Sequence, residues 1–297
     1  DPELPVSARY DKLYVQTVYV RNYGFEAMLA YNHRWGDFGW DTSFTYSTNK
    51  NEIVELVRNY VHPETGVIYN VDKLELKTNE GRGFGKAKFI LKEGGTLGDL
   101  YLNIDIKGNM LIDDDGNVTA VDNAGDIKLG SVLPKANLAW NNSFTYKGIN
   151  AGFLVTARLG GIVYSATQAY LDLYGVSETS AAARDAGGVW VNDRSQVNPQ
   201  SFYSVVASQS GLPTYYTYSA TNVRLQEAHI GYTIPRRWLG NVCDINVSLV
   251  GRNLWMIYCK APFDPEAVAT TNNYYQGIDY FMMPSTRNIG FNVKINF

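Results

Sequence analysis

The 297-residue chain is poor in the residues that usually carry chemistry, with only two cysteines and three histidines. Cys243 and Cys259 have none of the paired spacing of a zinc site. They fall near opposite ends of one expected strand, roughly 50 Å apart at about 3.3 Å per residue, and should not bond to each other. His33, His62 and His229 are scattered, and no H-E-x-x-H, G-x-S-x-G or phosphate-loop pattern accompanies them. GRGFG at residues 81–85 lacks the spacing of a dinucleotide fingerprint. The sequence nominates no catalytic residue, and the expectation is a protein that is not an enzyme.

An excess of positive charge is lacking too. With 26 Lys and Arg against 29 Asp and Glu, the formal net charge is −3. No local basic cluster compensates, which argues against nucleic-acid binding. Apolar runs of about 18 residues, the length of a membrane helix, are also absent. The best candidate, residues 151–166, is interrupted by Arg158, Gly160 and Gly161. A transmembrane barrel stays open, because its strands alternate and leave a weak hydropathy signal. The chain has no initiator Met and no signal peptide, and opens Asp1-Pro2-Glu3-Leu4-Pro5 like the interior of a loop, so a segment of a longer protein is expected.

What the chain does have is aromatic side chains and glycine: 22 Tyr, 12 Phe, 6 Trp and 27 Gly. Aromatic residues suit pleated, half-buried surfaces, and this balance points to all-β structure. Period-two patterns follow. In NIGFNVKINF, Ile289, Phe291, Val293, Ile295 and Phe297 share one face, and Asn288, Asn292, Lys294 and Asn296 the other. Leu138, Trp140, Phe144 and Tyr146 share a face, and the turn Lys147-Gly148-Ile149-Asn150 leads into a strand over residues 151–164. Tyr23 to Tyr31 pairs through Gly36-Asp37 with Phe38 to Tyr46, and residues 222–234 pair with 243–258. Within 222–234, Val223 and Leu225 have one parity and Ala228, Ile230, Tyr232 and Ile234 the other. That break implies either a bulge near Gln226 or Glu227, or a later strand start.

A greasy strand face fits a soluble sandwich, in which the chain would be a surface carbohydrate-binding module, as well as a barrel wall. Connection length separates the two. Short turns alternate with long polar connections at about residues 51–83, 108–135, 165–221 and 260–285. That asymmetry belongs to an outer-membrane barrel. With a further hairpin at 84–92 and 99–107, about nine strands are expected, too few to close a wall without exposed edges.

At this point a family resemblance emerges from motifs in shared order. RNYGFEAMLAYN followed by WDTSFTYSTNKNEIVEL, KEGGTLGDLYLNIDIKGNMLIDDDGNV, KLGSVLPKANLAWNNSFTYKGIN, NVRLQEAHIGYTIP and VSLVGRNLWMIYCKAPFDPE together resemble the C-terminal barrel of SusC/RagA-like TonB-dependent transporters. Tyr23 and Cys259 depart from the family pattern, which leaves the roles of the loops open. The resemblance implies a barrel of about 22 strands, of which residues 1–297 form a C-terminal portion. It also implies an N-terminal plug, a TonB-binding segment, a SusD-like surface lipoprotein and import of oligosaccharides or peptides. No plug or TonB-binding sequence is present among these residues.

Candidate sites are few. Asp113, Asp115 and Asn117 in IDDDGNV offer oxygen ligands to Ca²⁺, although Asp-Gly is also a common turn and the spacing is not that of an EF-hand. Trp190, Tyr215, Tyr216, Tyr218, Tyr274 and Tyr275 lie in the long connections. There they would contact ligand or partner, or belong to the interfacial girdle of a barrel in outer-membrane lipid. Phe291, Val293, Ile295 and the terminal Phe297 resemble the assembly signal of outer-membrane barrels.

Overall fold

The computed structural model describes residues 18–62, 66–76, 88–104, 111–112, 117–119, 122–191, 195–208, 212–269 and 276–296. Seven long strands dominate: β1 (Tyr19–Trp35), β2 (Phe38–Glu55), β3 (Ala136–Tyr146), β4 (Ile149–Leu159), β5 (Asn222–Ile234), β6 (Asp244–Cys259) and β7 (Asn288–Asn296). Each pairs antiparallel with its neighbours in chain order, giving one continuous meander.

The hairpin turns explain why the registers hold. Gly36 (φ 59°) opens the Gly36-Asp37 turn, and Lys147 and Gly148 both have positive φ, at 49° and 90°. These backbone values twist in the sense that two-residue hairpins require. The register then places Trp35, Phe38, Tyr146, Ile149, Tyr232, Val247 and Val293 in one row across all seven strands. Higher up, Leu29, Phe44, Trp140, Val155, Leu225 and Trp255 form a second row on the same face. From Phe25 to Trp35 is about ten residue steps, about 34 Å along a strand and roughly 26 Å along the axis of a barrel whose strands tilt by about 40°. That matches the apolar band of an outer-membrane wall.

Of the two readings of the parity break, the structure shows the bulge. Glu227 pairs with Leu154 and Leu225 with Val155, leaving Gln226 as the extra residue. It rotates the end of β5 so that both halves keep their apolar side chains on one face.

All short connections lie at one end of the sheet and all long ones, residues 56–135, 160–221 and 260–287, at the other. The long connections are not bare loops. Lys73–Leu76, Lys88–Lys92, Asp99–Ile104 and Asp122–Ser131 form a four-stranded sheet. The expected hairpin at 84–92 and 99–107 thus pairs, through Phe89 and Leu100, but in this second sheet. Among the described residues the wall has seven strands where about nine were expected. The strand expected to run to residue 164 also ends early. Gly160 and Gly161, at φ 78° and 83°, turn the chain out of the wall, and Ile162–Ser165 instead joins Thr217–Ser219 and Ile278–Asp279.

Three helices complete this outer body: α1 (Ala166–Leu173), α2 (Glu178–Asp185) and α3 (Pro199–Val206), capped by Ser165, Ser177 and Asn198. Its core draws Phe89, Leu100 and Val132 from the first connection, Phe202, Val206 and Tyr216 from the second, and Ile278 from the third. Ser165 Oγ donates to Asp279 Oδ2 at 2.7 Å and fastens the second connection to the third.

Candidate functional site

The polar face of the wall is the side opposite the aromatic rows. Amides, hydroxyls and charged groups predominate on it, with small or aliphatic side chains such as Ala139 and Leu154 between them. Arg34 Nη1 donates to Thr145 Oγ1 at 2.8 Å, Asn246 Nδ2 to Thr233 Oγ1 at 2.8 Å, and Arg252 Nε to Glu227 Oε2 at 3.0 Å. The pairing puts every Phe, Tyr and Trp of β2 to β5 on the apolar face, so the polar face there offers no aromatic ring beyond His229. Such a surface stays wetted and can exchange hydrogen bonds with a passing polar solute.

Where the outer body meets this face, one buried cation organises the junction. Arg224, on β5 just before the bulge, has a side chain only 6% exposed. Its guanidinium forks onto Asp264, with Nη2 donating to Oδ1 at 2.7 Å and Nη1 to Oδ2 at 3.2 Å. It also reaches Asn253 Oδ1 at 3.3 Å and Glu266 Oε2 at 3.3 Å. Only the planar fork of Arg makes such a bidentate pair while spending its other donors elsewhere. Burial pushes the Asp264 carboxyl upward, but hydrogen bonds from Arg224 and Ser285 and the backbone N–H of Glu266 outweigh it and hold the group below the usual carboxylate range. The clasp ties the third connection to the wall and fixes Glu266 in place.

Beside that Glu266 lies a cavity of about 240 Å³ on the polar face. Thr45 and Ser47 of β2, Asn137 and Ala139 of β3, and Thr156 and Arg158 of β4 form its floor. Arg158 Nη2 donates to the Val132 carbonyl at 2.9 Å. Its Nε is buried and makes no hydrogen bond among the described residues. Sequence reading did not nominate the clasp or this cavity. The signals were an arginine on the polar face of each of two alternating strands, β4 and β5, and the Asp-Pro-Glu that follows β6.

The nominated aromatics separate. Tyr216 is 1% exposed, a core residue whose hydroxyl donates to Asp172 Oδ2 at 3.0 Å. It therefore cannot touch a ligand or partner at the surface, contrary to expectation. Burial and the Asp172 charge push its phenol far above the usual range. Asp172 itself accepts from Gln168 Nε2 at 2.8 Å and from Ser177 Oγ. Tyr218 is half-buried, edge-on to Phe263, and Tyr215 packs edge-on against Phe202 while staying 42% exposed. Trp190 stands 65% exposed on the small hairpin Val189–Val191 and Ser195–Val197.

Tyr274, Tyr275, Asp113, Asp115 and Phe297 lie outside the described residues, while Asn117 is exposed. No cluster of His, Cys, Asp or Glu among the described residues is arranged to hold a metal. Phe291, Val293 and Ile295 lie exposed on the apolar face of β7. Cys243 just precedes β6 and Cys259 ends it, both as free thiols.

No protein-family model matches the chain. Its sequence is 25% identical over 289 residues to TonB-dependent receptor P3 of Formosa agariphila, covering 87% of this chain and 27% of that protein. With TonB-dependent receptor P39 of the same organism it is 23% identical over 320 residues, covering 94% of this chain and 30% of the relative. Its fold matches the RagAB peptide importer in the closed-closed state with a TM-score of 0.65 at 17% identity, over 99% of this chain and 31% of that one. The open-open state matches with a TM-score of 0.62. The chain thus spans 27% and 30% of the length of these two curated relatives. Sequence likeness to the receptors and likeness of fold to the importer meet on one architecture, and the chain resembles a segment of the β-barrel of a TonB-dependent receptor with the fold seen in the RagAB importer.

Proposed function

We propose that this chain forms part of the wall of an outer-membrane, TonB-dependent nutrient importer. The observation that carries the reading is the apolar face, continuous across seven strands and about the height of a bilayer core, backed by a polar face. In this reading the apolar rows face lipid, the polar face lines the path of the solute, the outer body lies outside the cell and the short turns lie in the periplasm. A plug and a TonB-contacting segment, supplied by other residues, provide the gating. A SusD-like lipoprotein closes the mouth over the outer body, where Trp190 and Tyr215 are among the exposed aromatics available to it, with Tyr174 and Phe281. The cargo is an oligosaccharide or a peptide.

The C-terminal strand serves assembly, with Phe291, Val293, Ile295 and Phe297 as the signal. The acidic run around Asp113, Asp115 and Asn117 is the place for a structural Ca²⁺.

The test is topological. In a protein with Cys243 and Cys259 replaced by Ser, single cysteines at Thr179 and Arg237 are exposed to a membrane-impermeant maleimide on intact cells. Position 179 should label and position 237 should label only after lysis. Labelling of both on intact cells, or recovery of the protein in the soluble fraction, removes the barrel reading.

A further inference from the structure

The cavity beside Glu266 has a chemistry that the wall alone does not require. Arg158 makes no ion pair among the described residues, and its Nε lacks a partner. A buried donor left unsatisfied is costly, so a wall strand has no structural reason to keep one there. Around it stand the hydroxyls of Thr45, Ser47 and Thr156 and the amide of Asn137, with no Phe, Tyr or Trp among the lining residues. Opposite in charge, Glu266 is held by Arg224 and by Asn222 Nδ2 at 3.3 Å. A cation, a carboxylate and small hydrogen-bonding groups without a stacking platform fit a peptide terminus better than a sugar ring.

We infer that this cavity is a subsite for the C-terminal carboxylate of a peptide, with Arg158 receiving the carboxylate. Small adjustment of the guanidinium lets its unmet donors engage the two oxygens, and the hydroxyls of Thr45, Ser47 and Thr156 complete the set. Glu266 repels the ligand carboxylate from its own side and attracts N–H groups, which sets the polarity of the bound peptide. The assignment rests on the importer reading, since it takes the polar face to be the solute path.

The experiment uses the full-length protein in detergent, with Cys243 and Cys259 replaced by Ser and a reporter cysteine at Ala139. The rate of N-ethylmaleimide labelling is followed against rising triglycine, triglycine amide, maltotriose or trigalacturonate. Triglycine should slow labelling, and the amide should require roughly tenfold more, the low end for loss of a charge-assisted hydrogen bond. Maltotriose should do nothing. Arg158→Gln should bring triglycine down to the level of the amide, and Arg158→Lys, which keeps the charge but loses the fork, should fall between.

Equal protection by triglycine and its amide overturns the assignment. So does protection that survives Arg158→Gln, or protection by trigalacturonate but not triglycine. Absence of protection by triglycine, at concentrations that leave a control cysteine at Thr179 unaffected, overturns it as well. Failure of the importer reading shows separately, as the wrong labelling topology in cells.

Discussion

In the wall, Phe44, Trp140, Leu249 and Phe291 remain between 44% and 80% exposed, whereas in the outer body Phe89, Leu100, Phe202, Val206 and Tyr216 are at most 2% exposed. Both regions come from one chain with one composition. The wall satisfies its backbone by strand pairing and presents its apolar side chains outward, so its hydrophobic partner must be supplied by the surroundings. The body assembles a core of its own from three separate connections and seals it with buried polar groups such as Asp172 and Asp279. Burial by protein and burial by lipid therefore lead to opposite mutational rules in the two regions.

The largest effects should come from the body and its attachment. Phe202→Ala opens a cavity in a packed core and should cost about 3–5 kcal/mol. The cost should show as faster proteolysis between residues 160 and 221, with the β-sheet signal of the wall retained. Simultaneous loss of both would erase the distinction between the regions. Asp264→Ala removes the bidentate partner of the buried Arg224 guanidinium and leaves it only the more exposed Glu266, for about 3 kcal/mol, and should loosen the third connection.

The pH dependence of the same clasp has a defined sign. Because the Asp264 carboxyl is held below its ordinary value, its contribution is fully present above about pH 4, the unfolded carboxylate range. It is lost as pH falls through the depressed folded value. Proteolysis of the third connection should therefore accelerate on acidification in the native protein and be insensitive to pH in Asp264→Asn.

Next in size is the wall itself. Phe44 and Ser43 are neighbours on β2 with opposite faces. Phe44→Arg near the middle of the apolar band should cost about 2–4 kcal/mol, while Ser43→Arg on the polar side should stay within about 0.5 kcal/mol. Urea unfolding of the full barrel in liposomes compares the two. Equal sensitivity would mean that the apolar face is not in lipid.

The wall was legible in the sequence because its signal is local. Period two marked ANLAWNNSFTY and residues 222–234, which match β3 and β5 residue for residue, and the parity break marked the bulge at Gln226. The body was not legible. Its helices are eight residues each, too short for a clear periodicity, and its core joins residues such as Ser165 and Asp279 that lie 114 positions apart. Tyr216 was read as a surface aromatic for that reason, because nothing nearby in sequence announces Asp172 as its partner. The clasp illustrates the same limit. Arg224 and Asp264 appeared in matching motifs, but only tertiary geometry shows that the two motifs bind each other.

The smallest effects should separate two aromatics of the body that look alike in sequence. Removing the Tyr216 hydroxyl, as Tyr216→Phe, withdraws one of three donors from buried Asp172 and should cost about 0.5–1.5 kcal/mol, more if the carboxylate finds no replacement. Trp190→Ala removes a side chain that is 65% exposed and should change stability by no more than about 0.5 kcal/mol. The order reverses for binding. If Trp190 contacts a lid or ligand, its replacement should weaken that association while Tyr216→Phe leaves it unchanged, because Tyr216 has no surface to offer. Thermal unfolding of the outer body, followed by protease resistance, gives the first ranking, and pull-down of the proposed SusD-like lipoprotein gives the second. A loss of stability in Trp190→Ala as large as that in Tyr216→Phe would make Trp190 a structural residue and leave the surface contact to Tyr215.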